Sequence, residues 1–172
     1  MYEKLPQELK ERGAFCLWRY EQRNGDTTKV PYQISGLRGD STNPTAFTDF
    51  TSAVSYGDSY DGIGIGVFGD ICAIDIDYCV ENGTLSDMAK DIIARMDSYT
   101  EYSPSENGVR ILFKAALPAY DRERYYINNR RLGLEVMKPE KVPGTRTKKQ
   151  TIVIHWDFIG VVEIPDTKEK TT

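Results

Sequence analysis

The stretch ICAIDIDY, residues 71–78, most constrains what this chain can fold into. Its run from Ile71 to Ile76 is apolar almost without interruption, the pattern of a strand covered on both faces and therefore central in a sheet. Yet two carboxylates, Asp75 and Asp77, are set into its end. Side chains two apart on a strand point to the same face, so the two acids emerge side by side. Like charges a few ångströms apart repel, and burial strips each of hydration. A divalent cation relieves both costs, and Mg²⁺ or Mn²⁺ accept carboxylate oxygens together with substrate phosphates. The same Asp-x-Asp also fits a strand end where both acids face water.

A third acid enters the argument at Glu135, embedded in LGLEVM between Leu134 and Val136. It either faces solvent, pairs with Arg130 or Arg131, or joins the two aspartates. Three acids on two neighbouring strands would suit a pair of metal ions about 4 Å apart, as used for in-line phosphoryl transfer. The loop SPSENG, 103–108, supplies complementary groups. Ser103 and Ser105 offer hydroxyls, Gly108 permits close backbone approach, and Arg110 presents a fork suited to phosphate oxygens. Lys29 and Arg19, on early strands, add positive charge, with an ordinary surface cation as the alternative reading of each.

The rest of the chain reads as an α+β fold in which sheet and helix pack on each other. A short helix is expected over residues 3–12 and a strand over Ala14–Glu21. A turn at NGD, 24–26, leads to a returning strand over 27–34. A helix over Phe47–Tyr56 would be capped by Thr48 or Asp49. GIGIGVFG, 62–69, and the 71–78 strand form a candidate hairpin joined at Gly69-Asp70. The best helix spans Ser86–Met96, with Met88, Ile92, Ile93 and Met96 on one side. Further strands are expected at Tyr99–Tyr102, Val109–Lys114, Leu132–Met137 and Thr151–Phe158.

With 172 residues, 40% of them hydrophobic and 28% charged, the chain suits one domain over residues 1–172. It has no apolar run long enough to cross a membrane. The charged opening MYEKLPQELKER lacks a signal peptide's apolar segment, which makes the cytoplasm the expected location. Cys16, Cys72 and Cys79 lack paired ligand spacing and His155 is the single histidine, which argues against structural zinc. Cys16 and Cys72, within apolar runs, are expected to be buried. A net charge of −4 excludes a uniformly basic nucleic-acid surface but leaves room for local patches. One patch contains Arg122, Arg124, Arg130 and Arg131 beside Tyr125 and Tyr126, an arrangement able to stack single-stranded bases. Packing of a connecting helix explains the tyrosines equally well. His155 reads as a displaced base or as an ordinary strand histidine.

Several segments fall into one order: WRYE at 18–21, KVPY at 29–32, STNP at 41–44, DGIGIGVF at 61–68, DIDYC at 75–79, SYTEYSPSENGVRILFK at 98–114 and GLEVM at 133–137. Together they resemble the N-terminal bifunctional primase-polymerase domains of phage and plasmid replication proteins, within the archaeo-eukaryotic primase superfamily. The resemblance covers about residues 10–137, leaving 138–172 as a divergent C-terminal segment. It implies a primase-polymerase core with an RRM-like sheet flanked by helices. Asp75, Asp77 and Glu135 would bind catalytic Mg²⁺ or Mn²⁺, and Ser105 and Arg110 would hold the triphosphate. The implied partners are single-stranded DNA template, dNTP or NTP, and a replicative helicase acting in trans, in the cytoplasm of a bacterial host.

The chain departs from that pattern in three places. Many relatives carry histidine where Arg110 stands, and arginine cannot donate a proton near neutral pH. Glu106 replaces a common glycine and sets a negative charge beside the phosphate loop. After Glu135, KPEKVPGTRTKKQTIVIHWDF stands where relatives have a short aromatic strand ending in Thr-Gly. These departures keep open a second reading, a nucleotide- or nucleic-acid-binding module without turnover. The short, acidic chain would also suit a third, a phage-encoded inhibitor of a host protein such as a nuclease, built on a primase-like fold.

Overall fold

The computed structural model describes residues 2–115, 128–137 and 151–154, the last four for their backbone. Arg122, Arg124, Tyr125, Tyr126, His155 and the basic stretch 138–149 lie outside the described residues. The elements run α1 (Gln7–Arg12), β1 (Phe15–Arg23), β2 (Asp26–Tyr32), a 3₁₀ turn (Pro44–Ala46), α2 (Phe50–Gly57), β3 (Gly62–Gly66), β4 (Ile71–Ile76), β5 (Val80–Glu81), β6 (Thr84–Leu85), α3 (Asp87–Met96), β7 (Thr100–Tyr102), β8 (Val109–Lys114), β9 (Asn128–Asn129), β10 (Leu134–Met137) and β11 (Thr151–Ile154). The fold is α+β, with antiparallel sheets flanked by few helices.

One sheet has the order β11-β3-β1-β2 and the other β7-β8-β4-β10-β9, with β5 and β6 forming a small ribbon. β4 is central, as its apolar run predicts. The expected hairpin between residues 62–69 and 71–78 does not form, because β3 and β4 belong to different sheets. The backbone of β3 is taken on both sides, by β1 and by β11, which leaves no edge for β4. Instead the chain makes a turn, with the Ile71 N–H donating to the Phe68 carbonyl at 3.1 Å, and enters the second sheet.

The two faces of β4 serve two cores. Ile71 and Ala73, with Leu112 of β8, pack against Phe15, Leu17, Ile63 and Ile65 of the first sheet and against Leu9 and Ala53 of the first two helices. Ile74 and Ile76, with Val109 and Ile111, pack against Ala89 and Ile93 of α3. Burial on both sides explains why this strand lacks the polar alternation of a one-sided strand. Cys16, Cys72 and Cys79 are all buried free thiols, as expected of the first two.

Local chemistry sets the helix boundaries. Asp49, rather than Thr48, caps α2 by accepting from the Ser52 N–H at 2.9 Å. Ser86 caps α3 by accepting from the Ala89 N–H at 3.2 Å. The helix then ends at Asp97, which adopts a left-handed conformation at φ 43°. α1 is shorter than expected. It is tied to the second sheet's rim by Arg12 to Asp70 at 2.8 Å and Lys114 to Glu8 at 2.6 Å.

Candidate active site

The register of the second sheet assembles a polar row. Glu101 on β7 stands opposite Arg110 on β8, Arg110 opposite Asp75 on β4, Asp75 opposite Glu135 on β10, and Glu135 opposite Asn128 on β9. Directly opposed residues of antiparallel strands share a face, so this row crosses all five strands on one side. It is the side that carries Ile71, Ala73 and Leu112 into the first core, and it takes over where that apolar packing ends.

Within the row, Arg110 Nε donates to Asp75 Oδ1 at 3.3 Å, and their side chains are only 11% and 16% exposed. Glu135 is half-buried. Two acids and an arginine predicted from separate segments are therefore brought together. Asp77 lies one residue beyond β4 and is exposed, and its N–H continues the ladder by donating to the Gly133 carbonyl at 2.8 Å. Among the described residues, no three His, Cys, Asp or Glu side chains converge as a metal-holding group.

Two glycines enclose the Asp77 backbone. A Cβ added at Gly108 would lie 2.6 Å from the Ile76 carbonyl oxygen and 3.3 Å from Asp77 Cα. One added at Gly133 would lie 2.6 Å from the Asp77 carbonyl oxygen, and Gly133 has φ +64° besides. Both neighbouring strands thus approach the end of β4 at distances that only glycine permits.

The 103–108 loop has its own hydrogen-bond order. Buried Ser103 accepts from the Gly108 N–H at 3.1 Å, and its hydroxyl meets that of Ser105 at 3.0 Å. Exposed Ser105 in turn donates to Asn107 Oδ1 at 2.6 Å. Glu106 occupies a left-handed position at φ 59°, the conformation for which glycine is the easier residue. The loop adjoins the row because Gly108 and Val109 lead straight into Arg110.

Lys29 and Arg19 come from another part of the fold. Both belong to the first sheet, where Lys29 lies 6.0 Å from the Trp18 ring. Arg19 stacks 4.1 Å from the Tyr60 ring and donates to the Ser59 carbonyl at 2.6 Å. That cation–aromatic packing gives Arg19 a structural role within the first sheet. Arg130 and Arg131 are exposed in the turn between β9 and β10.

Two members of the row, Asn128 and Glu101, were not foreseen, and the second is the more unusual. Glu101 is fully buried, and its Oε1 has no hydrogen-bond partner. Its Oε2 accepts from the Tyr99 hydroxyl at 3.0 Å. Burial pushes its pKa up to about 7, against the lowering influence of nearby Arg110 and of the Tyr99 hydrogen bond. The signal was present in TEY, an acid inside a short strand, the same pattern that marks Glu135.

No protein-family model matches the chain. It is similar to a protein named DNA Primase-polymerase from Nitratiruptor phage NrS-1, with 27% identity over 123 residues. The match covers 67% of this chain and 17% of that protein, so the chain corresponds to about a sixth of its relative's length. The chain is thus distantly related to a phage DNA primase-polymerase.

Proposed function

We propose that this chain is a nucleotidyl-transfer domain of the archaeo-eukaryotic primase type, adding nucleotides to a strand on single-stranded DNA during phage or plasmid replication. The observation that carries the reading is the row itself. Asp75, Arg110 and Glu135, three residues from three sequence segments, occupy consecutive register positions on one sheet face, in a chain related to a phage primase-polymerase. The strand order adds support. Counting β4, β7, β8 and β10 as first to fourth, the sheet runs second-third-first-fourth with all neighbours antiparallel, as in an RRM-like sheet.

In the proposed reaction a 3′-hydroxyl oxygen attacks the α-phosphorus of a bound dNTP or NTP. The new O–P bond forms as the bond to the β-phosphate's bridging oxygen breaks. Pyrophosphate leaves with that electron pair, and the hydroxyl proton passes to solvent. The carboxylates of Asp75 and Glu135, directly opposed, are hard oxygen donors that fit Mg²⁺ or Mn²⁺, with Asp77 two residues further along the same chain. Such an ion would offset the charge that develops on the phosphoryl oxygens. Arg110 is the triphosphate ligand, and its present bond to Asp75 keeps the guanidinium at the site with its charge compensated. Ser103 and Ser105 orient the loop that faces the phosphates. Lys29 would add positive charge from the first sheet, and a helicase in trans would supply unwound template.

A nucleotide-incorporation assay tests the reading, using primed and unprimed single-stranded DNA with dNTPs or NTPs and Mg²⁺ or Mn²⁺. Products are expected from the wild type and not from the Asp75→Ala/Asp77→Ala variant. The Arg110–Asp75 ion pair, together with Glu106 beside the loop, favours a second reading, a binding module without turnover. Nucleotide or single-strand binding without any incorporation would select it. Absence of both, with a tight protein partner, would select the inhibitor reading.

A further inference from the structure

The chain just beyond Asp77 departs from what its pattern dictates. Ile74 and Ile76 point into the core beneath α3, and strict alternation would send Tyr78 after them. Instead Tyr78 takes a left-handed conformation, φ 54°, and Cys79 fills the buried place, with its thiol 3.3 Å from the Ile76 carbonyl. Tyr78 is left 84% exposed, more than any other large hydrophobic side chain among the described residues. A left-handed backbone is unfavourable for a bulky aromatic residue, and among the described residues the Tyr78 side chain gains little burial from it.

The surroundings name the kind of partner. Asp77 and Gly133 are joined by a backbone hydrogen bond, and one residue beyond each stand Tyr78 and Leu132. Leu132 is also exposed, and Arg131 and Arg130 follow it on the solvent side of the same turn. The turn is held in shape by the Leu132 N–H, which donates to the Asn129 carbonyl at 3.1 Å. An aromatic face, an aliphatic neighbour and two guanidinium groups at one sheet end match what a single nucleic-acid strand offers, a base to stack and phosphates to pair. A protein partner would use the apolar groups but would leave two arginines to find acids. The charge pattern favours the nucleic acid.

We infer that Tyr78 is a base-stacking residue which, with Arg130 and Arg131, seats a single DNA strand at the carboxylate end of β4. The inference rests on the proposed function and adds the residue that guides a base past the site. Stacking tolerates any base, so this contact would be indifferent to sequence.

The test measures fluorescence anisotropy of the full chain with a labelled 12-mer of dT and with an abasic 12-mer of equal charge. Tyr78→Gly is the decisive variant, because glycine accepts the left-handed conformation and so melts no lower than the wild type. It is expected to bind the dT 12-mer about tenfold more weakly. The abasic strand should bind both proteins alike, and Tyr78→Trp should retain affinity. Arg130→Ala/Arg131→Ala should weaken both strands and flatten the salt dependence. Equal affinity of wild type and Tyr78→Gly for the dT strand would overturn the stacking role while leaving the nucleotidyl-transfer reading intact. A wild type that binds no single strand would overturn both.

Discussion

Arg110 and Asp75 face each other on adjacent strands, nearly buried, and are joined by a hydrogen bond of 3.3 Å. Removing the arginine alone leaves an acid in poor contact with water beside Glu135. Arg110→Ala is therefore expected to destabilise the fold by about 3 kcal/mol in urea unfolding, at the low end for a broken buried pair. The double variant Asp75→Asn/Arg110→Met should lose much less than the sum of the single changes. Additive losses would show that the two side chains are not energetically coupled.

If Asp75, Glu135 and Asp77 share a cation, as proposed, its binding stabilises the folded state. At a concentration 100 times its Kd, Mn²⁺ or Mg²⁺ is expected to contribute about 2.7 kcal/mol. Thermal melting with and without the ion reads this directly, and Glu135→Gln should reduce the shift. A melting temperature unmoved by millimolar ion would remove the metal from the proposal.

Gly108 and Gly133 test how tightly the end of β4 is held. A methyl group at either would meet a backbone carbonyl oxygen at 2.6 Å. Each alanine variant is expected to lose about 1–3 kcal/mol, as overpacked sites do. Gly133→Ala should be the worse of the two, because its φ of +64° adds strain. If either variant folds with wild-type stability, the backbone there is looser than described.

Glu101 makes stability depend on pH. Its folded pKa, about 7, lies above the ordinary 4.5, so the folded state holds a proton that the unfolded chain releases. That contribution is full below about pH 4.5 and is lost as pH rises towards 7, a change of up to about 3 kcal/mol. Glu101→Gln should flatten the stability profile across this window. An unchanged slope would assign the pH dependence to another group.

Much of this was legible in the sequence for physical reasons that can be named. The run Ile71–Ile76 announced a central strand because burial on two faces removes polar alternation. Glu135 drew attention because an acid inside an apolar strand needs a partner. Arg110 did so because it starts the strand after a serine- and glycine-bearing loop, where a guanidinium suits phosphate oxygens. The pairing of strands was less legible. Gly69-Asp70 is a good local turn, but a turn does not say whether the strands it joins lie in one sheet. Lys29 and Arg19 were likewise correctly given to strands but not to a sheet, since side-chain period reveals the face and not the neighbour. Tyr78 was hidden because its departure is a single backbone angle at a residue type that gives no warning of it.

The two-sided burial of β4 has a consequence for motion. A strand shared by both cores cannot open locally without disrupting each, so its amides should exchange with solvent only through global unfolding. Among the described residues, the loop at 103–108 and the turn at 130–133 belong to neither core. In the proposed reaction, substrates would thus meet a fixed floor of carboxylates between two more pliant walls, and adjustment to different bases would fall to the walls.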